Sequence, residues 1–193
     1  MSWFLQTLEN FKIEKKPKIF CETGSYLGEN IQYVLDANYF DKVHSIEISE
    51  KWYNYCKDKY NENEKVFLHL GNSADVIRNY DFGDEPVLFY LDAHFSGGET
   101  GGSDIENGCP LLLELDSLCE TRKKNTGDIV IIDDMRLMGI ASWGGTEGDK
   151  VYPKTFFDFT HITFQAIASV FKKHNRTIQW NLCPDKDRMI ILL

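Results

Sequence analysis

The feature that most constrains this chain is a recurring unit: a short, almost uninterrupted apolar run followed by a segment with helical spacing. KIFCETG (18–24) leads into ENIQYVLDANY, where Ile31, Val34 and Leu35 share one face. KVHSIEIS (42–49) leads into KWYNYCKDKY, KVFLHLGN into SADVIRNY, PVLFYLDA (86–93) into CPLLLELDSLCETRKK, and GDIVIIDD (127–134) into THITFQAIASVFKKHN. Strands covered by helices on both faces are apolar along their whole length, which is the mark of an interior parallel strand. Pro110 falls near the first turn of its helix, where a missing N–H costs nothing. The basic end of the last helix suits its negative dipole. The closing RTIQWNLCPDKDRMIILL predicts two strands around a Pro-Asp-Lys-Asp turn. The pattern therefore predicts an α/β protein: a doubly wound, mostly parallel seven-stranded sheet with an antiparallel C-terminal hairpin.

Length and composition narrow the function classes. The 193 residues, 42% hydrophobic and 13% aromatic, suit one folded domain (1–193) and are too rich in core residues for a disordered chain. The net charge of −9 argues against binding along a nucleic-acid backbone, which needs a basic footprint, but leaves room for a small neutral or anionic ligand. No apolar run approaches a membrane span, so no membrane insertion is expected. The opening MSWFLQTLENFKIEKKPK is too polar for a signal peptide. Residues 1–17 predict a helical extension whose Trp3, Phe4, Leu8 and Phe11 cover a binding site or a partner surface. Cys21, Cys56, Cys109, Cys119 and Cys183 form an odd set without metal spacing, which predicts reduced packing thiols and a cytoplasmic setting. The Asn175-Arg-Thr177 sequon is then chance. Nothing in the sequence fixes an oligomeric state. Two glycine-rich stretches, FSGGETGGSDIENG (95–108) and WGGTEGDK (143–150), follow the carboxyl ends of strands, where open α/β sheets bind ligands, and predict mobile closing loops.

The first strand–turn–helix reads Cys21-Glu22-Thr23-Gly24-Ser25-Tyr26-Leu27-Gly28. It is neither a dinucleotide fingerprint nor a P-loop, although two glycines still allow a tight turn and close backbone approach to a ligand. The plain alternative is an ordinary βα turn. Glu47 ends the second strand roughly 20 residues further on, where an acid accepts hydrogen bonds from a ribose. Together they favour an adenosine-containing cofactor.

ETGSYLG, IEIS, GNSAD and LDAH, in this order after the first four strands, resemble the motifs of class I S-adenosylmethionine-dependent methyltransferases, a Rossmann-like family with a reversed last strand. The resemblance runs from Lys18 onward. It implies that Glu22, Thr23, Gly24, Ser25 and Gly28 form the turn beside the methionine moiety of S-adenosylmethionine, or of its product S-adenosylhomocysteine. It further implies that Glu47 and Ile48 flank the ribose, that Asn72 and Ser73 approach the adenine, and that Asp92 borders the same cofactor.

A narrower similarity, to metal-dependent O-methyltransferases of the catechol type, concerns the acids. Asp92 ends YLDAH and Asp133-Asp134 end IVIIDD; the resemblance makes them ligands of Mg2+ or Mn2+. Carboxylates delivered by adjacent strands suit such ions, which acidify a bound hydroxyl. The plain alternative is a set of loop acids and helix caps. Catechol-type enzymes carry a lysine three residues beyond the first metal aspartate. Here that position is Phe95, which leaves His94 as the candidate general base. His44, His69, His161 and His174 have no such setting and are expected to be structural.

LDAHFSGGET with the downstream IIDD is also similar to small glycan-associated methyltransferases of bacteria and large DNA viruses, which implies a sugar hydroxyl as acceptor. Glu99, Asp104 and Glu106 are then candidate hydroxyl-binding acids and Trp143 a candidate stacking ring. The expectation is a metal-assisted O-methyltransferase acting on a small molecule or glycan. Its rivals are a non-catalytic S-adenosylmethionine-binding module, a metal-independent methyltransferase using His94, and a dinucleotide or nucleotide-sugar enzyme.

Overall fold

The computed structural model describes residues 8–9, 13, 15–97, 99–103, 106–124, 126–140, 158–183 and 185–193, and the backbone of 146–147 and 150–151. Most of the predicted 1–17 extension, with Trp3, Phe4 and Phe11, lies outside the described residues, as do Asp104 and Trp143. Leu8 is buried in the core.

The strands are β1 (Ile19–Thr23), β2 (Lys42–Glu47), β3 (Val66–Leu70), β4 (Val87–Leu91), β5 (Ile129–Ile132), a short β6–β7 ribbon (Thr146–Glu147 and Lys150–Val151), β8 (Gln179–Leu182) and β9 (Met189–Leu192). The helices are α1 (Glu29–Asp36), α2 (Glu50–Tyr60), α3 (Ser73–Asn79), α4 (Leu111–Thr121) and α5 (Phe164–Lys173). Seven strands form one sheet in the order β3-β2-β1-β4-β5-β9-β8, parallel up to β5 and antiparallel in the terminal hairpin. This is the expected architecture. All of the ribbon but Val151 falls inside the 143–150 stretch expected to be a mobile closing loop.

Side chains alternate across the sheet and build two cores. Cys21, Phe89, Leu91, Val130 and Ile132 face α3, α4 and α5, meeting Ile77, Leu115, Leu118 and Phe171. Phe20, Leu88, Tyr90, Ile129 and Ile131 face the other way and meet Ile31 and Val34 of α1 and Cys56 and Tyr60 of α2. Full burial of a side chain such as Phe20 is worth about 1.5–3 kcal/mol. β3, at the sheet edge, is half-exposed, so its apolar reading overstated its burial. α5 begins at Phe164, later than its pattern suggested, because the Thr163 hydroxyl caps it by accepting from Ala166 N at 3.0 Å. All five cysteines are buried free thiols. Among the described residues no helix is long and apolar enough to cross a membrane.

The order reverses between β1 and β4, which both run parallel from the same starting level: Ile19 pairs with Val87 and Thr23 with Leu91. At such a switch point the connections leave in opposite directions and open a crevice at the carboxyl ends. At the amino end of β4 and β5 sits a closed polar network. Asp128 accepts from Val87 N (2.9 Å), Arg122 Nε (2.8 Å), Arg122 Nη2 (2.9 Å) and Thr126 Oγ1 (2.7 Å). Arg122 also donates to the carbonyls of Gly83 and Glu85.

Candidate active site

A cavity of about 760 Å3 opens at the carboxyl ends of β1 to β4, within the range of roughly 300–1,000 Å3 typical of small-molecule sites. Gly24, Glu47, Ile48, Asn72, Ser73 and Asp92 line it, together with Tyr26, Trp52, His94 and the loop after β4. Each side arises from local chain chemistry. Gly24 sits at φ +85°, and a Cβ there would meet the Asp92 carbonyl oxygen at 2.8 Å, so a residue without a side chain lets the β1 turn lie against the end of β4. Glu47 uses one oxygen on Tyr26 N (2.9 Å) and the other on Ser49 N (2.8 Å), tying the β1 turn to the start of α2. A carboxylate has further lone pairs, so both oxygens can still accept from a ligand. Asn72 caps α3 through Ala74 N at 2.9 Å, leaving its amide N–H2 for another partner.

The other predicted cofactor residues stand behind this lining. Glu22, Thr23 and Ser25 are buried. Ser45 Oγ donates to Glu22 Oε1 at 2.6 Å and lies 2.5 Å from Ser25 Oγ, while Glu22 Oε2 makes no well-formed hydrogen bond among the described residues. Burial pushes the Glu22 carboxyl up to about 8, against the Ser45 hydroxyl and with help from the nearby Asp92 charge. Gly28 does not face the cavity. A Cβ there would meet Tyr60 Cε2 at 2.9 Å and Cys56 Sγ at 3.1 Å, and Tyr60 donates to its carbonyl at 2.7 Å. Its missing side chain serves the packing of α1 on α2.

The acids of β4 and β5 meet at the far wall. His94 lies between two of them, Nδ1 3.3 Å from Asp92 Oδ1 and Nε2 3.1 Å from Asp134 Oδ2. Burial alone would lower this imidazole, but the hydrogen bonds to Asp134 and Asp92 outweigh it and raise it to about 9. Burial pushes Asp134 up, yet His94 and Arg136, which pairs with its other oxygen, hold it below the usual carboxylate range. Ligand atoms of Asp92, His94 and Asp134 all lie within 4.8 Å of one another. The expected trio was Asp92, Asp133 and Asp134; the ligand atoms of Asp133 group instead with those of Asp134 and Asp187. Its oxygens accept from the Tyr90 hydroxyl and from Asp134 N at 2.8 Å. The reason is local: Asp134 adopts φ 55°, which turns consecutive acids in different directions. The negative charges gathered here are offset internally by His94 and Arg136. As held here the imidazole is a cation at neutral pH, so it acts as a base only after that proton has gone.

The glycine-rich loop after β4 closes the cavity's outer side. Phe95 N donates to Gly108 O at its base, and Trp52 Nε1 donates to Glu99 O at 3.0 Å. Lys51 pairs with the Glu99 carboxylate. Gly101 lies against Ile48, where a Cβ would meet Cγ2 at 2.7 Å. Glu99 is thus engaged on the α2 side of the cavity, away from the acid group, and Glu106 is exposed. Tyr26 and Trp52, whose rings meet edge to face at 4.6 Å, form a wall that the motif reading missed. Their signal was two large aromatics just past the ends of β1 and β2. His44 and His69 lie 3.0 Å apart in an aromatic cluster with Phe67, Tyr80 and Phe82, as structural histidines do.

No protein-family model matches the chain, and no curated protein sequence matches it either. Solved structures do. An S-adenosylmethionine-dependent methyltransferase from Clostridium acetobutylicum aligns over 98% of this chain and 88% of its own, with 11% identity and a TM-score of 0.57. A proposed methyltransferase from Streptococcus mutans, in complex with SAH, aligns over 97% and 96% with 12% identity and a TM-score of 0.55. A proposed O-methyltransferase from Nostoc punctiforme aligns over 98% of this chain and 54% of its own, with 13% identity and a TM-score of 0.56. At these identities the likeness is one of architecture, and the chain has the class I methyltransferase fold.

Proposed function

We propose that this protein transfers the methyl group of S-adenosylmethionine to a hydroxyl oxygen of a small molecule, most consistently a sugar or glycan. The observation that carries this reading is that one cavity joins the Gly24 turn, Glu47 and Asn72–Ser73 on one side to the Asp92–His94 pair on the other. Nucleoside-binding groups and proton-accepting groups thus face the same space. The bound cofactor supplies an electrophilic methyl carbon. Glu47 accepts hydrogen bonds from the ribose, the Asn72 amide faces the adenine, and Tyr26, Trp52 and Ile48 exclude water. Holding two reactants in line contributes much of the rate in such transfers. His94, held between Asp92 and Asp134, takes up the acceptor's proton once its own has passed to solvent. The net charge of −9 favours a small acceptor over a nucleic acid.

The donor set fits a divalent ion, with Asp92 and Asp134 as hard oxygen ligands, Asp133 beside them and His94 as a nitrogen ligand. Mg2+ or Mn2+ held there would acidify the acceptor hydroxyl. The bridging of Asp92 and Asp134 by His94 favours a second reading in which the cluster works without a metal. Methyl transfer assayed with labelled S-adenosylmethionine, before and after chelation and with Mg2+ or Mn2+ added back, separates the two. Loss and recovery of turnover supports the metal; full turnover in chelator supports the metal-free cluster. Binding of S-adenosylhomocysteine, tested by calorimetry beside NAD, tests the common premise, and a chain that prefers NAD overturns it.

A further inference from the structure

Glu114 is the one charged residue among the buried positions of α4, which otherwise hold Leu111, Leu115, Leu118, Ser117 and Cys119. It shares the buried stripe of α4 with Leu111, Leu115 and Leu118 and is 1% exposed. A buried acid with an unmatched oxygen is costly to the fold, so a leucine would serve the core better. Yet Oε1 makes no well-formed hydrogen bond among the described residues. The polar side chains that lower the cost of this buried carboxyl are the hydroxyls of Ser73 and Thr23, from two different elements of the cavity. Thr23 Oγ1 in turn accepts the N–H of Asp92 at 3.1 Å. Three segments therefore converge on one side chain: the end of β1 that runs into Gly24, the corner that carries Asn72, and the end of β4 that carries Asp92. A second, small cavity of about 10 Å3 is bounded by Glu114, Asp92, His94, Asp133 and Cys109. That is about the space one water needs, roughly 10–15 Å3.

We propose that Glu114 is a positioning residue of this site: through the Thr23 and Ser73 hydroxyls it fixes the β1 turn, the Asn72 corner and Asp92 relative to one another, and a water bridges its remaining oxygen to the Asp92–His94 pair. Burial holds the carboxyl up at about 7, against the lowering effect of the Ser73 and Thr23 hydroxyls. The role explains why the acid is kept at the expense of packing. It rests on the reading of the large cavity as an S-adenosyl site.

The test compares S-adenosylhomocysteine binding by calorimetry, and thermal unfolding, for the parent, Glu114→Leu and Glu114→Gln. Glu114→Leu is expected to unfold at or above the parent temperature while binding roughly tenfold more weakly, the loss of about one hydrogen bond's worth of order. Glu114→Gln keeps an acceptor for the hydroxyls and is expected to bind within roughly threefold of the parent. A purely structural residue would move stability and binding together. Binding by Glu114→Leu equal to the parent, or a loss in Glu114→Gln as large as in Glu114→Leu, overturns the inference alone. If Glu114→Leu fails to fold, Thr23→Val removes only the linking hydroxyl; it is expected to weaken binding similarly, and parental affinity there overturns the inference. A parent that does not bind S-adenosylhomocysteine overturns the functional reading and this inference with it.

Discussion

The two ends of the central strands treat buried acids in opposite ways. At the amino end, Asp128 is fully buried and receives four hydrogen bonds, two of them from Arg122, itself 7% exposed and bonded to two carbonyls. At the carboxyl end, Glu22 and Glu114 are as deeply buried, yet each has an oxygen without a well-formed partner. Burial costs are similar at both ends; only the compensation differs. An acid retained for stability is closed off by its neighbours. An acid beside a ligand site keeps an oxygen that no protein group among the described residues closes off, and the fold tolerates the cost.

Breaking the closed network should have the largest effect. Asp128→Ala leaves Arg122 buried without its counter-charge and is expected to cost about 3–5 kcal/mol in chemical denaturation, with unchanged cofactor affinity per folded molecule. Replacing the pair together, Arg122→Met with Asp128→Leu, should restore most of that loss. At the open end the effect moves from stability to binding. Glu47→Ala is expected to weaken S-adenosylhomocysteine by about 1.5–3 kcal/mol in calorimetry while unfolding near the parent temperature. Parental affinity in a folded Glu47→Ala would remove the ribose assignment.

A smaller effect is specific to pH. Glu22 is raised in the folded chain from 4.5 to about 8, so the folded state holds a proton that the unfolded state has lost across that window. Its contribution is present in full below about pH 4.5 and fades as pH rises through about 8. His94, raised from 6.5 to about 9, acts in the same direction at more alkaline pH. Between pH 7 and 8 the parent should lose about 1 kcal/mol that Glu22→Gln retains, read from denaturation curves at each pH. The smallest effect belongs to the rim. Lys51 and Glu99 form an ion pair whose side chains are 53% and 69% exposed, and Lys51→Ala should change stability by less than about 1 kcal/mol. A larger loss would mean that the loop after β4 is bound to the body more tightly than an exposed pair allows.

The fold was legible because its central strands are buried on both faces, and IVII of β5 or VLFYL of β4 admits no other solvation. Edges were less so: β3 shares the apolar look but exposes Phe67 and Leu70 and buries none of its residues fully. In the site, Asp92 and Glu47 were legible as acids that end strands. Gly28 was not, because a missing Cβ serves a ligand and a neighbouring helix equally well and spacing does not tell them apart. The charge of His94 depends on distances to Asp92 and Asp134, which arrive from different strands, so no local pattern carried it. Glu114 did leave a trace, an acid at the third step of an apolar helical stripe, which reads as a fault in the pattern until Thr23 and Ser73 are seen to meet it.

The indole of Trp52 makes the glycine-rich loop optically visible. It is 9% exposed, edge-on to Tyr26, and its N–H is held by the carbonyl of Glu99 in that loop. Lifting the loop would hand this N–H to water and shift the tryptophan emission to longer wavelength. Trp180, 54% exposed on the far edge of the sheet, already emits as a solvated ring and adds a steady background. In a chain whose Trp3, Trp143 and Trp180 are replaced by phenylalanine, emission colour therefore reports whether the loop after β4 rests on the body or has swung away, without any label attached to the protein.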